Sequence, residues 1–254
     1  VGMPSILNCA PYCEDPRIFT MSNHKQYVIF NRENNMHNHS MDTKLHRMAF
    51  ARLNKVKEHY FFDSIIDLAS PVDQTRWEKN WTPFEHEGSL KLIYEVEPMT
   101  VIQPNMQTGK IISKTSTHVP LHWNYGSVRG GSQAYPYGKY YISFFHSMID
   151  RPGHHKLNKK YYHMGAVLFE KKEPFKPVYI TKHPIGAMKL YEASGDHTRS
   201  DRWLRTFKII FPAGLAIRGD MAFVSFGFAD ELNKVATIDL KKLVQAMESL
   251  GKGT

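Results

Sequence analysis

Three short motifs in the chain carry side chains that could hold an anion or donate a proton. Their members are Glu14, Asp15 and Arg17; Glu78, Lys79 and Asn80; and Arg129 with Gly130 and Gly131. A fourth motif, Phe211 to Gly214, occupies the equivalent place in its repeat but carries no charged residue. His146 and Asp230 lie at the ends of the hairpins that follow the third and fourth motifs. Carboxyl groups can act as general acids, and cations and amides bind anions. The motifs therefore indicate a polar pocket.

Each motif stands ahead of a repeated strand-turn-strand pattern. The turns read SNHK, HEGS, PYGK and RGD, and the strands that follow read YVIFN, LKLIYEV, YYISFF and MAFVSF. Such turns tolerate tight backbone geometry, and strands of this kind are rich in β-branched and aromatic residues. Units of three or four strands, spaced by about 50 to 80 residues, are typical of propeller blades. A β-sandwich would less readily repeat one polar motif ahead of one hairpin.

We therefore predict an all-β protein, with residues 1–254 forming a single β-propeller domain. The loops that enter the innermost strands of a propeller ring its central channel, so the polar motifs are expected there. One helix is predicted over residues 239–250, because Asp239 can cap it. One apolar face would pack that helix on the propeller, with Leu240, Leu243, Val244 and Met247 as its members.

Composition limits the partners and the location. The net charge is +9 and the pI about 9.4, which favours an anionic ligand. No helix carries a basic stripe and no nucleic-acid motif occurs, so nucleic acid is not an expected partner. No apolar run of about 18 residues suggests membrane insertion. We expect Cys9 and Cys13 to be free thiols, and the protein to be cytoplasmic and without a targeting segment.

Six stretches in order give the chain a resemblance to a known family. They read EDPRIF…YVIFN, EKNWTPF, GSVRGGS…YYISFFHS, YYHMGAVLFE, IIFPAGL and VSFGFAD. Over about Glu14 to Ala236 the chain resembles the five-bladed propeller enzymes that act on β-mannosides, namely mannoside phosphorylases and mannosidases, to which some propeller glycosyltransferases are similar. The resemblance implies a five-bladed propeller. Because only four full units are visible, we expect either that one blade is incomplete or missing, or that the ring closes differently.

The resemblance also implies roles for individual residues. Asp15 matches the general acid of the family, although Asp-Pro-Arg is also a good turn. The implied phosphate or diphosphate ligands are Lys79, Asn80, His146 and His163, and Arg129 is a further cation that could add charge to that site. For sugar binding the resemblance implies Asp230. Independently of it, Trp81, Trp123 and Tyr125 lie beside the motifs and could stack on a sugar ring, and Arg17 is a further candidate sugar-binding residue. Each has a structural alternative, such as a solvated turn for Lys79 or a core position for His146.

Three functions remain open. The first is phosphorolysis or hydrolysis of a β-mannoside-like glycan; phosphorolysis is favoured because no second carboxylate is evident and phosphate can itself be the nucleophile. The second is glycosyl transfer from a nucleotide sugar, and the third is a propeller that binds a glycan without catalysis. The expected partners are an oligosaccharide or glycan with inorganic phosphate, a sugar 1-phosphate or a nucleotide sugar. No cofactor and no metal are expected, because no Asp-x-Asp signal appears.

Overall fold

A computed structural model describes residues 13–34, 45–73, 76–151, 159–186, 209–229 and 232–250, which form four sheets and one short helix. The chain divides into two compact units, Val1–Tyr94 with Thr100–Ser116, and Glu95–Met99 with Thr117–Thr254. We refer to them as unit 1 and unit 2. The single domain over residues 1–254 stays a prediction.

Unit 1 contains the first sheet and nearly all of the second. The first sheet consists of β1 Cys13–Thr20, β2 Gln26–Asn34, β3 Leu45–Val56, β4 His59–Phe62 and β5 Ile66–Asp67, in the order β1-β2-β3-β4 with β5 paired to β3. The second consists of β6 Thr82–His86, β7 Ser89–Val96, β8 Met99–Pro104 and β9 Ile111–Thr117, in that order. Their apolar faces form one core in which Ile29, Met48, Trp81, Leu92 and Ile102 are fully buried.

Unit 2 contains the third and fourth sheets. The third consists of β10 Ser127–Arg129, β11 Tyr135–Tyr137, β12 Tyr140–Arg151, β13 Lys159–Glu170, β14 Pro177–Thr181 and the C-terminal β18 Met247–Ser249. The fourth consists of β15 Ile210–Arg218, β16 Met221–Phe228 and β17 Leu232–Asp239. Their shared core includes Ile142, Phe144, Leu168, Ile210 and Val224.

Three of the four predicted turns are two-residue hairpin loops. The β6–β7 loop is Glu87 and Gly88, with φ of 49° and 73°, between the paired residues His86 and Ser89. Both loop residues have positive φ, which a type I′ turn requires and which matches the twist of the strands. The β11–β12 and β15–β16 hairpins place Gly138 and Gly219 in the same left-handed region.

The predicted helix is shorter than expected. Its N-cap is correct, because the Asp239 side chain accepts a hydrogen bond from the Lys242 amide at 3.1 Å, but helix α1 spans only Leu240–Gln245. Residues 247–249 instead form β18, which pairs with β14. A six-residue helix has little intrinsic stability, so the hydrogen bonds offered by the edge of the third sheet determine the structure of the residues that follow.

The expectation of free thiols is wrong for Cys13, which is disulfide-bonded. Disulfides persist mainly in oxidising environments, so the argument from free thiols no longer supports a cytoplasmic location. Cys9 lies outside the described residues. The helix among the described residues does not have the length and apolarity needed to cross a membrane.

Candidate active site

A β-bulge in β1 sets the position of Asp15. Glu14 pairs with Asn31 and Arg17 with Ile29, so Asp15 and Pro16 together face one residue of β2. Pro16 has no backbone N–H to give to the sheet, and Asp15 has a φ of 54°, in the left-handed region. Bulges of this kind redirect side chains and are frequent beside active sites.

Arg17 links the first motif to the second. Its side chain has no exposed surface, Nη1 donates to the backbone oxygen of Asp15 at 2.9 Å, and Nη2 donates to Oδ1 of Asn80 at 3.4 Å. Burial lowers the pKa of Arg17, while the negative charge of Asp15 raises it. Asp15 and Arg17 are two residues apart, so unbroken strand alternation would place their side chains on the same face. The bulge changes that alternation, and the guanidinium folds back beneath its neighbour.

The second motif presents one exposed cation and one buried amide. Lys79 is exposed, while Asn80 is 6% exposed and has a φ of 64°. Asparagine is among the few residues that adopt this conformation readily. Asp15 and Asn80 are therefore two left-handed residues joined by one arginine, which agrees with the sequence prediction that the first two motifs meet.

Glu78 anchors this motif and was not among the predicted ligands. Its carboxylate accepts hydrogen bonds from Ser70 Oγ at 2.5 Å and Tyr94 Oη at 3.2 Å, and its backbone oxygen accepts one from Asn31 Nδ2 at 2.6 Å. Burial is the main cause that raises the pKa of Glu78, and the hydrogen bond from Ser70 and the charge of Arg76 partly oppose it. A carboxylate directly before Lys-Asn was the only sequence signal for this anchor.

Trp81 lies in the core. It has no exposed surface, and its ring meets the Tyr94 ring edge-on at 5.4 Å. This indole was expected to contact a sugar, but the structure places it in the core of unit 1, directly after Lys79 and Asn80 in the chain.

In unit 2, the structure brings Arg129 and His146 together. They are directly paired across β10 and β12, so their side chains share one face of the sheet. His146 is 1% exposed, and its ring packs at 4.5 Å from Phe211 and 5.7 Å from Tyr162. His146 therefore occupies a core position on that face.

His163 belongs to a different group. It pairs with Ser147, so it lies on the opposite face from His146, and its ring is 5.5 Å from that of Tyr125. Tyr125 also has its hydroxyl 2.7 Å from Nδ1 of His183, and its ring 5.1 Å from Trp123. His183 joins this aromatic and histidine group without any motif that could have indicated it.

Two further predictions depend on what the structure describes. Asp230, a predicted sugar ligand, lies outside the described residues. Within the described part of the chain, no group of three or more His, Cys, Asp or Glu residues is arranged to hold a metal ion.

Comparison with known proteins gives one family match. The model of glycoside hydrolase family 130, described as beta-1,4-mannooligosaccharide phosphorylase, matches residues 5–249. A search of curated protein sequences finds no match.

Several solved structures have the same fold. A beta-1,2-mannobiose phosphorylase from Listeria innocua is 16% identical with a TM-score of 0.59, over 92% of this chain and 60% of the other. A putative glycoside hydrolase from Parabacteroides distasonis is 16% identical with a TM-score of 0.63, over 93% and 70%. A third structure belongs to a study of the GH130 family of mannoside phosphorylases, described as containing glycoside hydrolases that target beta-1,2 mannosidic linkages in Candida mannan. It is 15% identical with a TM-score of 0.58, over 90% of this chain and 66% of the other.

These likenesses bear on the fold alone. The predicted all-β propeller is confirmed, with four sheets among the described residues, whereas a fifth blade and a relation to glycosyltransferases are not. The chain spans 60% of the length of the Listeria phosphorylase.

Proposed function

Because the chain belongs to glycoside hydrolase family 130, we propose that it cleaves a β-mannoside-like glycan by phosphorolysis, with Asp15 as the general acid. Family members are described as phosphorylases and hydrolases of β-mannosides. The choice of Asp15 and of phosphate as the nucleophile is our own inference from the residues.

One observation carries this proposal: Arg17 joins the backbone oxygen of Asp15 to the side-chain oxygen of Asn80. Both joined residues have positive φ, 54° and 64°. Non-glycine residues in this region cost energy and concentrate where function requires a fixed geometry. A buried guanidinium that holds two such residues supports a preorganised site at this point.

In the proposed reaction, Asp15 gives its proton to the glycosidic oxygen as the bond from that oxygen to the anomeric carbon breaks. An oxygen of phosphate attacks the anomeric carbon, which yields a sugar 1-phosphate and a shortened glycan. The proton lost by phosphate restores the acid form of Asp15. A single carboxylic acid is sufficient because phosphate replaces the activated water of a hydrolase.

Cations and amides would hold the phosphate. In unit 1 we propose Lys79, which is exposed, and Asn80, which the Arg17 contact orients. Unit 2 separately offers Arg129 and His163 as candidate anion ligands, whereas His146, which is 1% exposed and shares a sheet face with Arg129, is proposed to support that face. Tyr125 and Asp230 remain the proposed sugar ligands. Arg17 and Trp81 have no exposed surface, so we propose that they support the site without touching the sugar.

The test is a product assay with β-1,4-mannotriose and β-1,2-mannobiose, with and without inorganic phosphate. Phosphorolysis predicts a sugar 1-phosphate that forms only when phosphate is present, whereas free mannose without phosphate would indicate hydrolysis. Asp15→Asn should lower turnover by about 10²-fold, which is typical of the loss of a general acid. Asp150→Asn, at an exposed position of β12, is the matched control and should leave turnover unchanged. Full activity of Asp15→Asn would contradict the assigned role.

A further inference from the structure

An exposed tryptophan stands directly before the second motif. Trp77 is 57% exposed, in the segment that leads from β5 to β6, and the proposed reaction makes no use of it. Single exposed apolar residues are common and usually need no explanation. Three features of its surroundings distinguish Trp77 from such a residue.

The first feature is a fixed orientation. The indole packs against the ring of His46, with centroids 4.4 Å apart and an angle of 41° between the planes. His46 is itself held, because its Nδ1 lies 2.7 Å from Oδ1 of Asn31 and its backbone oxygen accepts a hydrogen bond from the Glu78 amide at 3.0 Å. The indole is therefore supported from the protein side, while more than half of its surface faces solvent.

The second feature is a neighbouring carboxylate. Oε1 of Glu14 lies 3.7 Å from Nδ1 of His46, and the Glu14 side chain is 57% exposed. His46 thus has the indole packed on its ring and an exposed acceptor beside its nitrogen. This pairing of an apolar ring with a few placed polar groups is the usual composition of a small-ligand site.

The third feature is the position in the chain. Glu14 directly precedes Asp15, and Trp77 is two residues before Lys79. A ligand on this surface would therefore lie beside both motifs of the proposed active site in unit 1.

We propose that Trp77, supported by His46 and flanked by Glu14, forms a sugar subsite that binds a pyranose unit of the glycan beyond the bond cleaved at Asp15. The C–H face of the sugar packs on the indole, and a sugar hydroxyl donates a hydrogen bond to the Glu14 carboxylate. This inference rests on the proposed function, since it supplies the binding surface for a longer substrate.

The subsite predicts a dependence on substrate length. A contact between two aromatic rings contributes about 0.5–1.5 kcal/mol. We expect a similar contribution from a sugar face on the indole, which corresponds to an affinity ratio of up to about tenfold. Trp77→Ala should therefore weaken binding of a long oligosaccharide by up to about tenfold. It should leave a disaccharide, which is held at the cleaved bond, unaffected.

The experiment uses calorimetric titration of the full chain carrying Asp15→Asn, so that no turnover occurs. The probes are β-1,4-mannohexaose and β-1,4-mannobiose. Trp77→Ala and Glu14→Gln, each added to this background, should weaken hexaose binding, and Trp77→Tyr should restore most of the affinity. Tyr60→Ala is the matched control, because Tyr60 is another exposed aromatic of unit 1, 47% exposed, and its removal should change neither affinity.

The outcomes are distinct. If the Asp15→Asn background binds hexaose and Trp77→Ala binds it equally well, the subsite is overturned while the proposed function stands. If the background binds neither oligosaccharide, the subsite is overturned, and the product assay with β-1,2-mannobiose decides whether the proposed function fails as well. A loss of affinity shared equally by hexaose and biose would also overturn the subsite, because it would indicate general damage to the site.

Discussion

Substitution of Arg17 tests whether this residue positions the site or only stabilises the fold. Its guanidinium donates to two acceptors, the Asp15 backbone oxygen at 2.9 Å and Asn80 Oδ1 at 3.4 Å. The flat fork of arginine can hold both acceptors at once, whereas the single ammonium of lysine cannot do so in a fixed geometry. We therefore compare Arg17→Lys with Arg17→Met.

The expected stability change follows from these two contacts. Arg17→Met leaves the Asp15 carbonyl without its donor, which costs about 1–3 kcal/mol, but it also removes a cation with no exposed surface, so the two effects partly cancel. Arg17→Lys keeps a buried charge, and because an ammonium group is more strongly hydrated than a guanidinium, burying it costs more. This variant also loses one charge-assisted hydrogen bond, worth about 1.5–3 kcal/mol. The lysine variant should therefore be the less stable of the two.

The expected activity change is different. In both variants Asp15 and Asn80 are no longer tied to one group, and a displacement of about 1 Å in a reacting group can lower turnover by about 10²-fold. Both variants should therefore lose about 10²-fold in kcat, even though their stabilities differ. A residue that only stabilises the fold would leave kcat of the folded fraction unchanged.

The assay combines urea unfolding with steady-state kinetics of phosphorolysis at saturating phosphate. Arg32→Met is the matched control, because Arg32 makes two hydrogen bonds to Asp67 at 2.6 and 2.5 Å in the same sheet. It should lower stability without lowering kcat. If Arg17→Met kept kcat within about twofold of the parent, the positioning role would be refuted.

Two further predictions concern the anchor of the second motif and the third sheet. Burial raises the pKa of Glu78 above its ordinary value of 4.5. The stabilisation from Glu78 is therefore complete below about pH 4.5 and is lost as the pH rises through the folded-state pKa. Urea unfolding at a series of pH values should show a weaker dependence of the free energy of unfolding on pH in Glu78→Gln, and an unchanged dependence would assign it to another group. In Gly165→Ala the new Cβ would lie 2.3 Å from Phe145 Cζ and 2.9 Å from Trp123 Cη2, so the free energy of unfolding should fall by about 1–3 kcal/mol. The control Gly227→Ala meets its nearest atom at 3.9 Å and should be nearly neutral, whereas equal losses in both would contradict the crowding argument.

Local sequence signals predicted the hairpins well, because their causes are local. Glu87 and Gly88 form the two-residue loop that HEGS indicated, since both positions require positive φ. The capping residue Asp239 was likewise correct. The end of the helix was not predictable, because it depends on a strand, β14, that lies about 70 residues earlier in the chain.

The two tryptophans of the second motif region show where sequence reasoning fails. Trp81 was expected to bind sugar and is fully buried, whereas Trp77 was not singled out and is 57% exposed. They lie four residues apart, and nothing in their local sequence distinguishes the side that each faces. That difference is set by the bulge-bearing first sheet and the core beneath it, both of which are products of long-range packing.

The pairing of β18 with β14 links the fourth sheet to the third. All three strands of the fourth sheet lie between β14 and β18 in the sequence, and Thr181 pairs with Met247 while Tyr179 pairs with Ser249. The chain therefore leaves the third sheet, builds the fourth, and returns to complete the edge of the third. Opening the fourth sheet alone would leave a long loop pinned at both ends, which limits the conformational entropy that it could gain. Slow amide exchange should consequently be shared by both sheets of unit 2, which would open as one cooperative unit.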